Sequence, residues 1–178
     1  MERFDRTSWN EEKGWFTRRG GGVILYEQPT PDGRFTFTVG RSPNNLFSGD
    51  TRLKWFVGYV DGSTFVRFEL DRRTLNRADV VGGRMLTMMQ SPHRIPNNAQ
   101  FVYLNIQISG NRLIQQYSLD GQNWNVLDDW TRTVAATNEP RKRTALEGRF
   151  GLMVQSDEVV SLSNLLFYPT APGSPTRR

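Results

Sequence analysis

The chain of 178 residues contains no cysteine, one histidine and three lysines. Without cysteine there is no thiol catalysis, no disulfide and no zinc–thiolate centre. The lone His93 lies in Ser91-Pro92-His93-Arg94-Ile95-Pro96, which reads as a loop. A multi-histidine metal site is therefore excluded, and a Ser-His-Asp triad would have to use this one residue. Lysine is confined to Lys13, Lys54 and Lys142, so arginine carries nearly all the positive charge. The 23 Lys+Arg against 18 Asp+Glu leave +5, a mild excess that reads as compositional habit and not as the mark of a polyanionic partner. No apolar run approaches the ~18 residues that would span a bilayer, so no membrane insertion is expected. The N-terminus MERFDRTSWNEEKGW is charged from its second residue and has no apolar h-region, so no signal peptide is expected within this chain. Sustained helical periodicity is missing as well. The best short helix candidates are 73–81 and 131–137.

What is present is strict alternation, repeated between turn dipeptides. Phe35, Phe37 and Val39 form one apolar row; Leu53, Trp55, Val57 and Tyr59 form the next. Val66, Phe68 and Leu70 follow, then Val102, Leu104, Ile106 and Ile108, then Phe150, Leu152 and Val154, with a last strand over 159–168. Asp61-Gly62, Gly110-Asn111 and Asp120-Gly121 supply the positive φ angles that tight hairpins require. Aromatic residues make up 12% of the chain, too heavy an apolar load for a disordered segment. About ten to twelve strands fit this spacing. The predicted fold is all-β: a two-sheet antiparallel sandwich or jelly roll. One domain over 1–168 is expected, followed by a flexible Pro/Ser/Thr-rich tail or linker over 169–178.

Two-residue turns fix register, and register decides which side chains face each other. The Asp61-Gly62 turn places Val57 opposite Val66, Trp55 opposite Phe68 and Leu53 opposite Leu70 on the core side. On the other face it sets Phe56 against Arg67, Lys54 against Glu69 and Arg52 against Asp71. The Gly110-Asn111 turn places Val102, Leu104, Ile106 and Ile108 opposite Leu119, Tyr117, Gln115 and Leu113, with Gln115 the misfit. Its outer face carries Tyr103, Asn105 and Gln107 across from Ser118, Gln116 and Ile114. Uncharged amides beside an aromatic ring both donate and accept hydrogen bonds, which suits a hydroxyl-rich ligand. Tyr103, Asn105, Gln107 and Gln116 are thus the candidate ligand-binding residues, extended by Arg67 if both hairpins share one sheet.

Glu69-x-Asp71 places two carboxylates on one strand face, as glycoside hydrolysis can require. The spacing resembles the Glu-x-Asp-x-(x)-Glu strand of laminarinase-like β-glucanases, but Arg73 and Thr74 occupy the third position. Both acids also face cations, which would hold them ionised; no catalytic residue is assigned. Ser118-Leu119-Asp120-Gly121-Gln122-Asn123-Trp124 resembles the Ser-x-Asp-Gly-x-x-Trp turn of secreted β-sandwich domains, with the aspartate capping backbone amides and Trp124 packing beneath. Arg18-Arg19-Gly20-Gly21-Gly22 and Arg141-Lys142-Arg143 read as solvated loops, without the clustered aromatics that nucleic-acid binding wants. No cofactor is expected. Asp157 and Glu158 could serve calcium on a rim loop, though no specific motif supports it.

The strings FTFTVG, LKWFVGYVDGSTFVRFELD, YLNIQISGNRLIQQYSLDGQNW and EGRFGLMVQSDEVVSLSNLLFY together resemble the concanavalin A-like lectin/glucanase superfamily, over about residues 1–168. The closing strands are similar to the laminin-G-like group and to the bacterial 3-keto-disaccharide hydrolase-type family. The resemblance implies a jelly roll whose ligand is carbohydrate, or a glycan-bearing partner, on the concave sheet or its rim loops. It equally hosts glycoside-acting enzymes and structural or sensor domains of larger bacterial surface proteins. The expected state is a monomer or part of a longer chain, with an extracytoplasmic setting in the latter case.

Overall fold

The computed structural model describes residues 10–19, 22–25, 32–40, 53–96, 99–132, 146, 148–154 and 159–170. Among these there is no helix, hence none long and apolar enough to cross a membrane. Thirteen strands form: β1 (Asn10–Glu12), β2 (Trp15–Arg19), β3 (Gly22–Leu25), β4 (Gly33–Gly40), β5 (Leu53–Asp61), β6 (Thr64–Leu70), β7 (Thr74–Val81), β8 (Arg84–Pro92), β9 (Phe101–Ser109), β10 (Arg112–Ser118), β11 (Asn125–Thr131), β12 (Arg149–Val154) and β13 (Val159–Pro169). A seven-stranded sheet runs β1-β2-β13-β4-β9-β10-β11 and a six-stranded sheet runs β3-β12-β5-β6-β7-β8. Every ladder is antiparallel, which makes the molecule a two-sheet β-sandwich of jelly-roll type.

The core lies between the sheets and is made of the predicted rows except Tyr59, which the irregularity after Val57 turns to the outer face beside Phe56 and Phe65. Phe35, Phe37, Trp55, Phe68 and Phe150 are no more than 2% exposed, each worth about 1.5–3 kcal/mol of burial. Phe35 of β4 stacks on Phe150 of β12 with ring centroids 4.0 Å apart, joining the two layers. At Gly148, φ +149°, a Cβ would stand 2.5 Å from the carbonyl carbon of Gly58, so two backbones touch where no side chain fits.

Both predicted hairpin registers hold in their strand bodies. Val57 pairs with Val66, Trp55 with Phe68 and Leu53 with Leu70; Ile108 pairs with Leu113, Ile106 with Gln115 and Leu104 with Tyr117. The first turn itself sits one residue later than expected. Asp61 pairs with Thr64, and an irregularity between Val57 and Asp61 restores the register. Asp61 Oδ1 anchors the turn by accepting from Ser63 N at 2.8 Å and Ser63 Oγ at 2.7 Å.

Some expectations are corrected. Of the helix candidate 73–81, residues 74–81 form β7 and Arg73 lies in the bend before it. Of 131–137, Thr131 ends β11 and 133–137 lie outside the described residues. Leu119 falls beyond β10 and is 45% exposed, so it leaves the core row. Trp124 is 37% exposed and does not close beneath its turn. Arg18 and Arg19 belong to β2, paired with β13, and are not in a loop. The domain's last strand runs to Pro169, and Thr170 N donates to Asp32 O at 3.0 Å; 171–178 lie outside the described residues, as do Arg141-Lys142-Arg143, Asp157 and Glu158.

Candidate functional site

The expected ligand residues fall on two different surfaces. Between β8 and β9 the chain crosses from one sheet to the other. Arg67 on β6 therefore faces out from the six-stranded sheet, while Tyr103, Asn105, Gln107 and Gln116 face out from the seven-stranded one. The two hairpins do not share a sheet, and the five residues do not form one surface.

The four that stay together form three rows with their neighbours: Thr38, Tyr103 and Ser118; Thr36, Asn105 and Gln116; Arg34, Gln107 and Ile114. Asn105 Nδ2 donates to Gln116 Oε1 at 2.8 Å, while Asn105 Oδ1 is buried without a partner. Tyr103 is half-buried with its ring beside Gly121, and Gln107 is exposed. At the patch margin the Arg34 guanidinium sits 4.8 Å from the Tyr168 ring centroid.

The outer face of the six-stranded sheet is built by alternation with the core residues Trp55, Val57, Val66 and Phe68. Met153, Lys54, Glu69, Asn76 and Gln90 make one row across β12, β5, β6, β7 and β8. Gly151, Phe56, Arg67, Ala78 and Met88 make the next. Phe65, Val80 and Met85 make a third, where Phe56, Tyr59 and Phe65 cluster with ring centroids 5.3–6.1 Å apart. A cation, a carboxylate and two amides thus stand beside an arginine, and the arginine beside an aromatic cluster. The first row grades in depth from Lys54, 2% exposed, through half-buried Glu69 and Asn76 to exposed Gln90. Arginine, Asn and Gln side chains each offer paired polar atoms that neighbouring hydroxyls can engage.

The carboxylates of this region are structural in their surroundings. Lys54 lies opposite Glu69, as predicted. Arg52 lies outside the described residues. Asp71 accepts from Arg73 N, Thr74 N and Thr74 Oγ1 at 2.7–2.8 Å and from Asn76 Nδ2 at 3.3 Å. Burial pushes its carboxyl up, but these hydrogen bonds outweigh it and hold the group below the ordinary value. His93 accepts from Ile95 N through Nδ1, so Nε2 carries the proton and donates to Asp71 O at 2.9 Å. A histidine with both ring nitrogens held this way is part of the turn. Asp120 accepts from Gln122 N and Asn123 N at 2.8 Å and from Asn123 Nδ2 at 2.7 Å, the capping role expected of it. Among the described residues no group of three His, Asp or Glu could hold a metal.

Asn76, Gln90 and Met88 are absent from the sequence-predicted site because β7 and β8 are not legible as strands. One signal was there: Gly82-Gly83 is a two-residue hairpin turn, both residues at positive φ, with Val81 opposite Arg84.

No protein-family model matches the sequence, and no curated protein matches it. The fold is shared by solved structures. The carbohydrate-binding module CBM66 from Bacillus subtilis is 14% identical, with 89% of each chain covered and a TM-score of 0.58. The VIP36 exoplasmic/lumenal domain, solved bound to Ca2+ and Man3GlcNAc, is 17% identical over 92% of this chain and 83% of its own, with a TM-score of 0.56. Sheep galectin-11, in complex with glycerol, is 11% identical over 84% of this chain and 98% of its own, with a TM-score of 0.55. The chain shares the two-sheet jelly-roll fold of these structures.

Proposed function

We propose that this domain is a non-catalytic recognition module for carbohydrate, free or on a glycosylated partner, with its principal site around Arg67 on the outer face of the six-stranded sheet. The observation that carries the reading is the adjacency of the Lys54–Glu69–Asn76–Gln90 row to Arg67 and the Phe56–Tyr59–Phe65 cluster. Planar polar groups fix hydroxyls while the half-buried rings of Tyr59 and Phe65, backed by buried Phe56, cover the apolar face of a pyranose; a few placed polar groups on an apolar floor is the usual design of a small-ligand site. The carbohydrate-binding and sugar-complexed proteins of the same fold support this reading. The occupied carboxylate of Asp71 and the missing third acid weigh against the glycoside-acting alternative. No metal is proposed to take part.

A glycan array followed by calorimetric titration of the best hit tests the proposal. Arg67→Ala and Asn76→Ala should each weaken binding at least tenfold, an expectation of about 1.4 kcal/mol, with addition of EDTA changing nothing. Failure of any glycan to bind would leave the spacer or sensor role. Sugar release that Glu69→Gln abolishes would establish an enzyme instead. One observation favours a second location, the amide patch: Asn105 Oδ1 is a buried acceptor with no protein partner, which a ligand hydroxyl could satisfy.

A further inference from the structure

The net charge of +5 is modest, but the fold does not spread it evenly. Among the described side chains, the arginines between the sheets and on the seven-stranded sheet are engaged. Arg77 pairs with Asp128 at 2.7 Å, Arg132 with Asp79 at 2.6 Å and Arg112 with Asp129 at 2.7 Å, and Arg34 lies over the Tyr168 ring. On the outer face of the six-stranded sheet the opposite holds. Arg67 and Arg149 are half-buried there, and among the described residues their side chains form no ion pair or hydrogen bond. Arg149 is set outward by alternation with fully buried Phe150 and stands opposite Tyr59. No described carboxylate of this face answers the two guanidinium groups. Glu69 lies across from Lys54, and Asp61 and Asp71 are each engaged by their own turns. At the rim, Arg73 O accepts from His93 N at 3.0 Å, which brings exposed Arg72, Arg73 and Arg94 onto two adjoining loops.

Resting on the carbohydrate reading above, we infer that the glycan is acidic, with its carboxylate or sulfate ester held by Arg149 and Arg67 on the two strands that flank Phe56 and Tyr59. Arg67 shares a row with Phe56 and Gly151, and Arg149 lies two positions from Gly151 along β12. The two arginines are therefore two strands and two residues apart, about 12 Å between Cα atoms. β5, the strand between them, carries the rings of Phe56 and Tyr59. That span admits one pyranose lying on the rings with an anionic substituent at either guanidinium. A half-buried guanidinium has lost part of its hydration, and a carboxylate or sulfate restores it through paired N–H···O bonds. A hydroxyl offers the same donors a neutral acceptor, whose hydrogen bonds are roughly half as strong. Two unneutralised cations on one face also repel each other, so an anion gains where a neutral sugar does not. Arg72, Arg73 and Arg94 add a positive rim that draws an acidic chain toward the face.

A glycan array holding neutral, uronate-bearing and sulfate-bearing members, read with the full chain, tests this. The expected hits carry carboxylate or sulfate, and titration of each against its carboxyl-reduced or desulfated counterpart tells which anion the site takes. Loss of the anionic group should weaken binding about tenfold or more. Raising NaCl from about 50 to about 500 mM should weaken it several-fold. Arg149→Gln should cost the acidic ligand about tenfold or more, and Arg149→Lys, which keeps the charge without the paired donors, should fall between. The comparison of charged and neutralised glycans needs no variant, so it decides the matter even where a substitution at Arg149 fails to fold. Binding confined to neutral glycans would overturn this inference and leave the carbohydrate reading standing; binding to no glycan would overturn both. An acidic hit that binds as tightly after its charge is removed, or that Arg149→Gln leaves unchanged, would also overturn it.

Discussion

The indole Nε1 of Trp55, on β5 of the six-stranded sheet, donates to Gln115 Oε1, on β10 of the opposite sheet, at 2.9 Å. Trp55 is fully buried and Gln115 is 1% exposed, so water can satisfy neither group. The amide that interrupts the apolar row of β10 is there for the indole. A tryptophan buried to this depth needs an acceptor, and the facing sheet supplies it.

Replacing Gln115 with Leu strands the indole N–H in the core. The expected loss is about 1–3 kcal/mol, read as a lower urea midpoint. Combining it with Trp55→Phe should cost less than the sum of the two single changes, because no orphaned donor remains.

The Arg132–Asp79 pair behaves similarly, with larger magnitude. Arg132 Nε and Nη2 donate to the two carboxylate oxygens at 3.1 and 2.6 Å, and both residues are buried. Asp79→Leu alone should destabilise by about 3–5 kcal/mol, since it leaves a buried unpaired cation. Adding Arg132→Met should recover most of that, measured as a double-mutant cycle.

Acid stability should depend on Asp120. Hydrogen bonds from Asn123, then Gln122 and Ser118, hold its carboxyl well below the ordinary 3.8. A folded value lower than the unfolded one gives stability that is fully present above the unfolded value and lost as pH falls toward the folded one. Asp71 contributes in the same direction. Melting temperatures followed downward from about pH 5 should therefore fall less steeply for Asp120→Ala than for the natural chain. Parallel curves would contradict the assignment.

Gly148→Ala drives a methyl group into the Gly58 backbone at 2.5 Å, and backbone cannot yield as a flexible side chain would. A loss of about 1–3 kcal/mol or more is expected in a thermal melt.

Binding should separate the two outer faces. Arg67→Ala and Asn105→Ala lie on opposite sheets and should act independently on affinity for any glycan the domain binds. Loss in the first alone places the ligand on the six-stranded sheet; loss in the second alone moves it to the Tyr103 patch.

Local chemistry was enough to settle the strand class and the registers of the β5–β6 and β9–β10 strand bodies. It did not settle the first turn, which sits one residue late, or the Asp120-Gly121 turn, which is part of a longer connection over 118–124. Alternation has a period of two, and Gly110-Asn111 leaves only one pairing, so Ile108 against Leu113 follows from neighbours in the chain. Gly82-Gly83 carried the same information for β7 and β8. There the alternation is broken by Arg77 and Asp79, charged residues that face inward, and so the strand read as a candidate helix. Their partners Asp128 and Arg132 lie 51 and 53 positions away, beyond what any local pattern can report. Asp79 and Gln115 look wrong in sequence for the same reason: each answers a group on the opposite sheet. Which sheet a hairpin joins depends on crossovers whose cost and reward are both long-range. Tertiary packing therefore decided that Arg67 and Tyr103 point away from each other, and that Lys54, Glu69, Asn76 and Gln90, from four strands, come to stand in one row.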